Sequence, residues 1–144
     1  MSHSSVRNYL HIIFATRGRD SLIAPEIEND LYAYLVAIAN KKKVIIQKIN
    51  GVDDHIHMLV ILHPAVALAT LMKELKSYST GWMKRKGYPQ FSWQEGYGGF
   101  SCSKSHVENV VKYIARQKEH HKKHSFEAEV NELNEKWGTT WLRD

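Results

Sequence analysis

The run over residues 54–62 constrains the fold more than any other part of the chain, because after Asp54 it is apolar except for two histidines placed two positions apart. Its aliphatic and β-branched residues predict a buried strand. Side chains alternate between the faces of a strand, so His55 and His57 should lie side by side on one face. Two neutral imidazoles there form half of a divalent-metal site, although buried histidines that hydrogen-bond to backbone carbonyls are a common structural alternative.

The elements around this strand predict an α+β fold of the ferredoxin-like kind, with the order βαββαβ followed by additional C-terminal helices. In chain order the pattern first predicts a strand over 9–16, a helix from 25 into the lysines at 41–43, and a strand over 44–49 with a hairpin turn at Asn50-Gly51. The histidine strand and a helix over 65–86 follow. The last predicted elements are a short fourth strand at 91–94, a loop over 95–99, and helices over 105–123 and 127–136. The first and third strands should be central neighbours in an antiparallel sheet. No repeat or linker interrupts the pattern, so residues 1–144 are expected to form a single domain.

The charge of the chain is positive and unevenly placed. The net charge is +5, but residues 125–144 hold only two Lys and Arg against five Asp and Glu. A basic body with an acidic tail favours a polyanionic partner, most simply nucleic acid, although many basic domains bind none. A single cysteine, Cys102, and the absence of any long apolar run lead us to expect a soluble, cytoplasmic protein.

The helix predicted over 105–123 carries polar groups beside its packing face. Its apolar stripe consists of Val107, Val110, Val111 and Ile114. Tyr113 and Gln117 are four positions apart and therefore neighbours on a strip that borders this stripe. Taken alone, the pair is most simply an aromatic residue that packs beside a solvent-facing amide.

A second histidine cluster, His120-His121 followed by His124, competes with the strand pair as a metal motif. His120 and His124 have the spacing of zinc ligands on a helix. Lys118, Lys122 and Lys123 surround them and disfavour another cation. We therefore interpret the cluster as a solvated, basic helix end.

Four blocks of the sequence together resemble the single-tyrosine transposases of the HUH superfamily, which mobilise minimal insertion sequences as single-stranded DNA, and the related enzymes that act on repetitive extragenic palindromes. The blocks lie at 9–14 (YLHIIF), 50–57 (NGVDDHIH), 93–101 (WQEGYGGFS) and 113–121 (YIARQKEHH). They span nearly the whole chain. The departures from the family pattern are mild, such as Gly99 where a small residue like Ala is common.

The resemblance implies a metal-dependent tyrosine DNA transposase. It makes Tyr113 the nucleophile that forms a 5′-phosphotyrosine, and His55, His57 and Gln117 the ligands of Mg²⁺ or Mn²⁺. It also implies single-stranded DNA with a hairpin at the element ends as substrate. A homodimer is implied as well, in which the tyrosine helix can complete the partner's site.

Lysine and arginine side chains are the candidates for phosphate contacts. Lys76, Arg85, Lys112 and Arg116 are the candidate DNA-binding residues, although each could instead belong to a solvated face. Two other functions remain open from the residues: a non-catalytic ferredoxin-like nucleic-acid-binding module, and a histidine-metal hydrolase of small phosphoesters.

Overall fold

The computed structural model describes residues 4–142, which form a four-stranded antiparallel sheet in the order β2-β3-β1-β4, with helices on both faces. The strands are β1 (Tyr9–Ala15), β2 (Ile45–Gly51), β3 (His55–Ile61) and β4 (Gly98–Cys102), and the helices are α1 (Pro25–Lys41), α2 (Leu68–Arg85), α3 (Val107–Ala115), α4 (Gln117–His120) and α5 (Phe126–Trp137). The predicted α+β class, the element order and the central pair of β1 and β3 are confirmed. Within these residues, none of the helices combines the length and apolarity that a membrane crossing requires.

The two faces of the central strands pack against different helices, which explains their nearly unbroken apolar sequence. Ile12, Phe14, Ile56, Met58 and Val60 belong to the main core beneath α1 and α2. The alternate residues of β1 and β3 face the other side, where α3 and α5 cover them. His55 and His57 lie on this second face. The segment predicted over 105–123 thus covers the histidine face, and α5 joins it.

The predicted fourth strand is wrong in position. Trp93 makes only an isolated bridge to Thr16, and β4 is instead Gly98–Cys102, which pairs with β1. Phe91 and Trp93 pack into the main core, where the Trp93 indole donates to Ser79 Oγ at 2.9 Å. Gly98 and Gly99, which were expected in a loop, belong to the strand, and a Cβ at Gly98 would lie 2.7 Å from the Trp141 ring. Close approach of that ring favours glycine at this strand position.

Two further boundaries differ from the prediction. Asn50 and Gly51 are the last residues of β2, paired with β3, rather than the turn itself. The helix predicted over 105–123 breaks at Arg116, where φ is −98° and ψ is 14°. The Asn50 side chain donates to the carbonyls of Ile114 (3.0 Å) and Ala115 (3.2 Å), so it satisfies backbone groups at the end of α3.

Candidate active site

His55 and His57 are completely buried and project from β3 towards one carboxylate, that of Glu129 on α5. His57 Nε2 lies 3.0 Å from Glu129 Oε1, and His55 Nε2 lies 3.5 Å from the same oxygen. His121, which follows α4, places its Nε2 3.0 Å from His55 Nε2 and 3.2 Å from Glu129 Oε1. Three imidazole nitrogens and one carboxylate oxygen thus converge, all within 4.8 Å of one another.

The opposite nitrogen of each strand histidine has its own partner. His55 Nδ1 donates to Asp54 Oδ1 at 2.7 Å, and His57 Nδ1 lies 2.8 Å from His11 Nε2. When His57 Nε2–H donates to Glu129, Nδ1 accepts from His11; when Nε2 binds a cation, Nδ1–H donates to His11 instead. Both tautomers therefore keep their hydrogen bonds, as expected of outer partners that orient metal-binding histidines.

The second oxygen of Glu129 faces the C-terminal helices. Tyr113 on α3 donates its hydroxyl to Glu129 Oε2. Gln117 Nε2 lies 3.5 Å and His120 Nε2 lies 3.3 Å from the same oxygen. A single carboxylate, only 1% exposed, thus links the histidine cluster to the tyrosine.

Gln117 is buried four residues beyond Tyr113, just after the break at Arg116, and its Nε2 approaches the Tyr113 carbonyl at 3.4 Å. Its Oε1 is buried and has no hydrogen-bond partner among residues 4–142. A buried amide oxygen without a partner is costly, and a cation is one way to satisfy it. Together with the imidazoles and the carboxylate, this oxygen is a donor set that fits a divalent metal ion.

Burial makes two of the histidines weak bases. It is the largest cause that lowers the pKa of His57 to about 4, although the hydrogen bond to Glu129 opposes it. Burial, followed by the neighbouring His57, lowers the pKa of His11 to about 3. Both rings are therefore neutral near pH 7, and a neutral imidazole can donate a lone pair to a metal.

The remaining groups share charge and protons. Burial lowers the pKa of His55, but hydrogen bonds to Asp54 and Glu129 outweigh it and raise that pKa above its usual value. Burial raises the pKa of Glu129, but hydrogen bonds to the histidines outweigh it and hold that pKa far below its usual value. Burial and the Glu129 charge raise the pKa of the Tyr113 phenol. These shifts make the cluster an ionised carboxylate bonded to histidines and to a neutral phenol.

The structure brings the predicted Tyr113, His55, His57 and Gln117 together, and it adds His121 and Glu129, which sequence reasoning missed. The interpretation of the second histidine cluster as a solvated helix end is wrong for His121, whose side chain is 9% exposed and faces the site. The helix break at Arg116 changes which residues of this segment face the sheet. The burial of Glu129 could have been predicted from the sequence, because this residue lies beside Val130 and three positions after Phe126 on the apolar face of α5.

The four DNA-binding candidates divide between the two faces of the molecule. Lys112 and Arg116 border a surface depression of about 510 Å³ that Tyr113 also lines. Lys76 and Arg85 lie on α2, the helix that packs on the other face of the sheet. Lys76 Nζ donates to the carbonyls of Gln94 (2.8 Å) and Gly96. Only the first two are therefore next to the tyrosine.

Known structures share this fold. A crystal structure of a candidate transposase from Deinococcus radiodurans R1 is 20% identical, with a TM-score of 0.66, and the match covers 81% of this chain and 95% of that one. A REP-associated tyrosine transposase bound to a REP hairpin is 16% identical, with a TM-score of 0.64, and the match covers 84% of this chain and 74% of that one. No curated protein sequence matches the chain. The family described as "Transposase IS200 like" matches residues 4–117, and the chain therefore belongs to the IS200-like transposases.

Proposed function

We propose that this transposase cleaves and rejoins single-stranded DNA at the ends of a mobile or repeated element, through a covalent 5′-phosphotyrosine on Tyr113. His55, His57 and Gln117 are the proposed ligands of the divalent cation, Mg²⁺ or Mn²⁺. The observation that carries the proposal is the Glu129 carboxylate, which contacts the Tyr113 hydroxyl on one side and His57 on the other. A nucleophile and a set of metal donors therefore share one buried cluster.

The residues of the chain account for the proton and the nucleophile. As the Tyr113 oxygen attacks the phosphorus of the scissile phosphodiester, its O–H becomes more acidic and the proton passes to Glu129 Oε2. The bond from phosphorus to the 3′ oxygen breaks, and that oxygen takes up a proton from water as the free 3′-hydroxyl. A bound cation would neutralise charge on the phosphate oxygens during this exchange. Because the phosphotyrosine keeps the energy of the broken ester, a second 3′-hydroxyl can reverse the reaction and join a new strand.

The positive charge beside Tyr113 supports DNA as the partner. Lys112 and Arg116 can neutralise phosphates of a strand that enters the depression next to Tyr113. The hairpin bound by the REP-associated structural neighbour supports hairpin-containing DNA as the substrate. We further propose that the protein acts as a homodimer in the cytoplasm.

The test is to mix the full chain with a single-stranded hairpin oligonucleotide and Mn²⁺ or Mg²⁺, then to separate the products by denaturing gel. We expect a denaturation-resistant protein–DNA adduct that Tyr113→Phe abolishes. Tyr9→Phe is the control, because Tyr9 is a buried tyrosine of β1 that is not a member of the cluster around Glu129. An adduct that persists in Tyr113→Phe would refute the mechanism. The absence of any adduct across a broad set of end sequences would also refute it.

The same gel separates the two alternatives. A non-catalytic binding module would shift the oligonucleotide in native gels, tolerate His57→Ala and EDTA, and form no adduct. A metal hydrolase of small phosphoesters would turn over a nitrophenyl phosphodiester repeatedly without Tyr113. Either result would replace strand transfer as the function.

A further inference from the structure

The metal donors that lie closest together do not include the third ligand predicted from the sequence. His55, His57, His121 and Glu129 place their donor atoms within 4.8 Å of one another. Gln117 instead presents its amide nitrogen to Glu129 Oε2 at 3.5 Å. The convergent set thus draws two members from the segment after α4 and from α5, beyond residues 4–117, which match the family.

We propose that His121 and Glu129 join His55 and His57 as metal ligands, and that these two residues, more than Gln117, set the affinity and selectivity for the ion. The inference rests on the proposed function only in assuming that a metal ion binds to this cluster. It assigns the carboxylate a double contact, Oε1 towards the ion and Oε2 towards Tyr113.

The contacts of the metal-free cluster favour this assignment. His55 Nε2 and His121 Nε2 lie 3.0 Å apart, so at least one proton must sit between two atoms that both carry lone pairs. Both nitrogens also approach Glu129 Oε1, at 3.5 Å and 3.2 Å. A divalent cation can replace those shared protons and satisfy the lone pairs together, because ligand deprotonation and metal binding are coupled. Asp54 and His11 remain outside, where they orient His55 and His57.

The chemistry of the donors predicts which metal binds. Three imidazoles and one carboxylate favour Mn²⁺ and other transition-metal dications, whereas Mg²⁺ prefers oxygen ligands. A site of two histidines and an amide oxygen would discriminate less between Mn²⁺ and Mg²⁺. By calorimetry with the metal-free, full-length protein and no DNA, we expect Mn²⁺ to bind at least about 100-fold more tightly than Mg²⁺. Equal affinities would overturn the proposal.

Single substitutions rank the ligands. We expect His121→Ala and Glu129→Gln each to weaken Mn²⁺ binding at least about tenfold, and Gln117→Ala to weaken it by a smaller factor than either. His124→Ala and Glu135→Gln, exposed neighbours on the same segments, should leave the affinity unchanged. The opposite ranking, with Gln117→Ala the most damaging, would refute the assignment.

A measurement on the wild-type protein removes any dependence on how the variants fold. In nitrogen-15 NMR of the histidine rings, Zn²⁺ as a diamagnetic probe should shift the Nε2 resonances of His55, His57 and His121 together. Shifts of only the two strand histidines would overturn the proposal. Neither binding experiment uses DNA, so failure of the adduct assay would refute the proposed function and leave the ligand assignment standing.

Discussion

His11 shows how one buried residue prepares another for its task. It lies in β1 beside β3, with its ring 5.1 Å from that of His57, and its Nε2 shares the hydrogen bond with His57 Nδ1. Because His11 is neutral, it can act as donor or acceptor and so serve both tautomers of His57. The sequence pattern indicated the paired histidines, whereas His11 gains its role only because strand pairing brings it next to them.

The lowered pKa of His11 makes the stability of the metal-free protein depend on pH. The unfolded histidine takes up a proton below about pH 6.5, whereas the folded one does so only near pH 3, so stability is lost as the pH falls between these values. His11→Gln, which keeps an acceptor for His57, should reduce the slope of unfolding free energy between pH 5.5 and 4 by about 1 kcal/mol per pH unit. Urea unfolding in EDTA measures this slope.

His124→Gln is the matched control for that experiment, because His124 is exposed and its side chain bonds to no described residue. It should leave the slope unchanged. An identical slope in wild-type and His11→Gln protein would mean that His11 is protonated in the fold, and would contradict the neutral ring described above.

At the scale of elements, the hairpin between β2 and β3 positions the histidines. Gly51 ends β2 directly against β3, and a Cβ there would lie 2.1 Å from the His55 carbonyl oxygen. Asn50, one residue earlier, holds the end of α3 through two backbone carbonyls. The hairpin therefore connects the histidine strand with the tyrosine helix. The Asn-Gly pair looked like a turn signal because the same residues suit a tight turn and a close backbone approach.

Gly51→Ala should therefore destabilise the fold by at least about 2 kcal/mol, because backbone atoms cannot move aside as a flexible side chain can. It should also weaken metal binding, since His55 would have to shift. Gly99→Ala is the control: its Cβ would meet only Leu68 Cδ2 at 3.7 Å, an ordinary contact, so stability should change little. Thermal and urea unfolding measure both effects. Equal stability of the two variants would show that β2 and β3 do not approach as described.

At the scale of the whole molecule, basic and acidic side chains are distributed unevenly over the surface. The basic residues Lys112 and Arg116 border the depression at Tyr113, whereas α5 places acidic side chains along the last part of the described chain. One of these, Glu129, turns inward and reaches the site. The overall excess of positive charge predicted a polyanion, but only the packing of α3 shows which positive residues lie beside Tyr113.

The salt dependence of binding to a single-stranded oligonucleotide tests this division. Lys112→Ala and Arg116→Ala should each reduce the magnitude of the negative slope of log affinity against log salt by about 0.7. Each should also weaken binding to all sequences alike. Lys73→Ala, exposed on α2 across the sheet, should leave the slope unchanged. A reduced slope in Lys73→Ala alone would place the DNA on the other face, where Lys76 and Arg85 remain candidates.

The sequence by itself determined the α+β order, the central strands and the shared face of His55 and His57, because these follow from local periodicity. Spacing also placed Gln117 beside Tyr113, and the structure keeps the two residues in contact across the break at Arg116. Only the tertiary structure decided that His11, His121 and Glu129 meet these residues: they lie 46, 64 and 72 positions from His57, and no local pattern reports such contacts. The carbonyls at the end of α3 likewise find their partner in Asn50, a residue of another element.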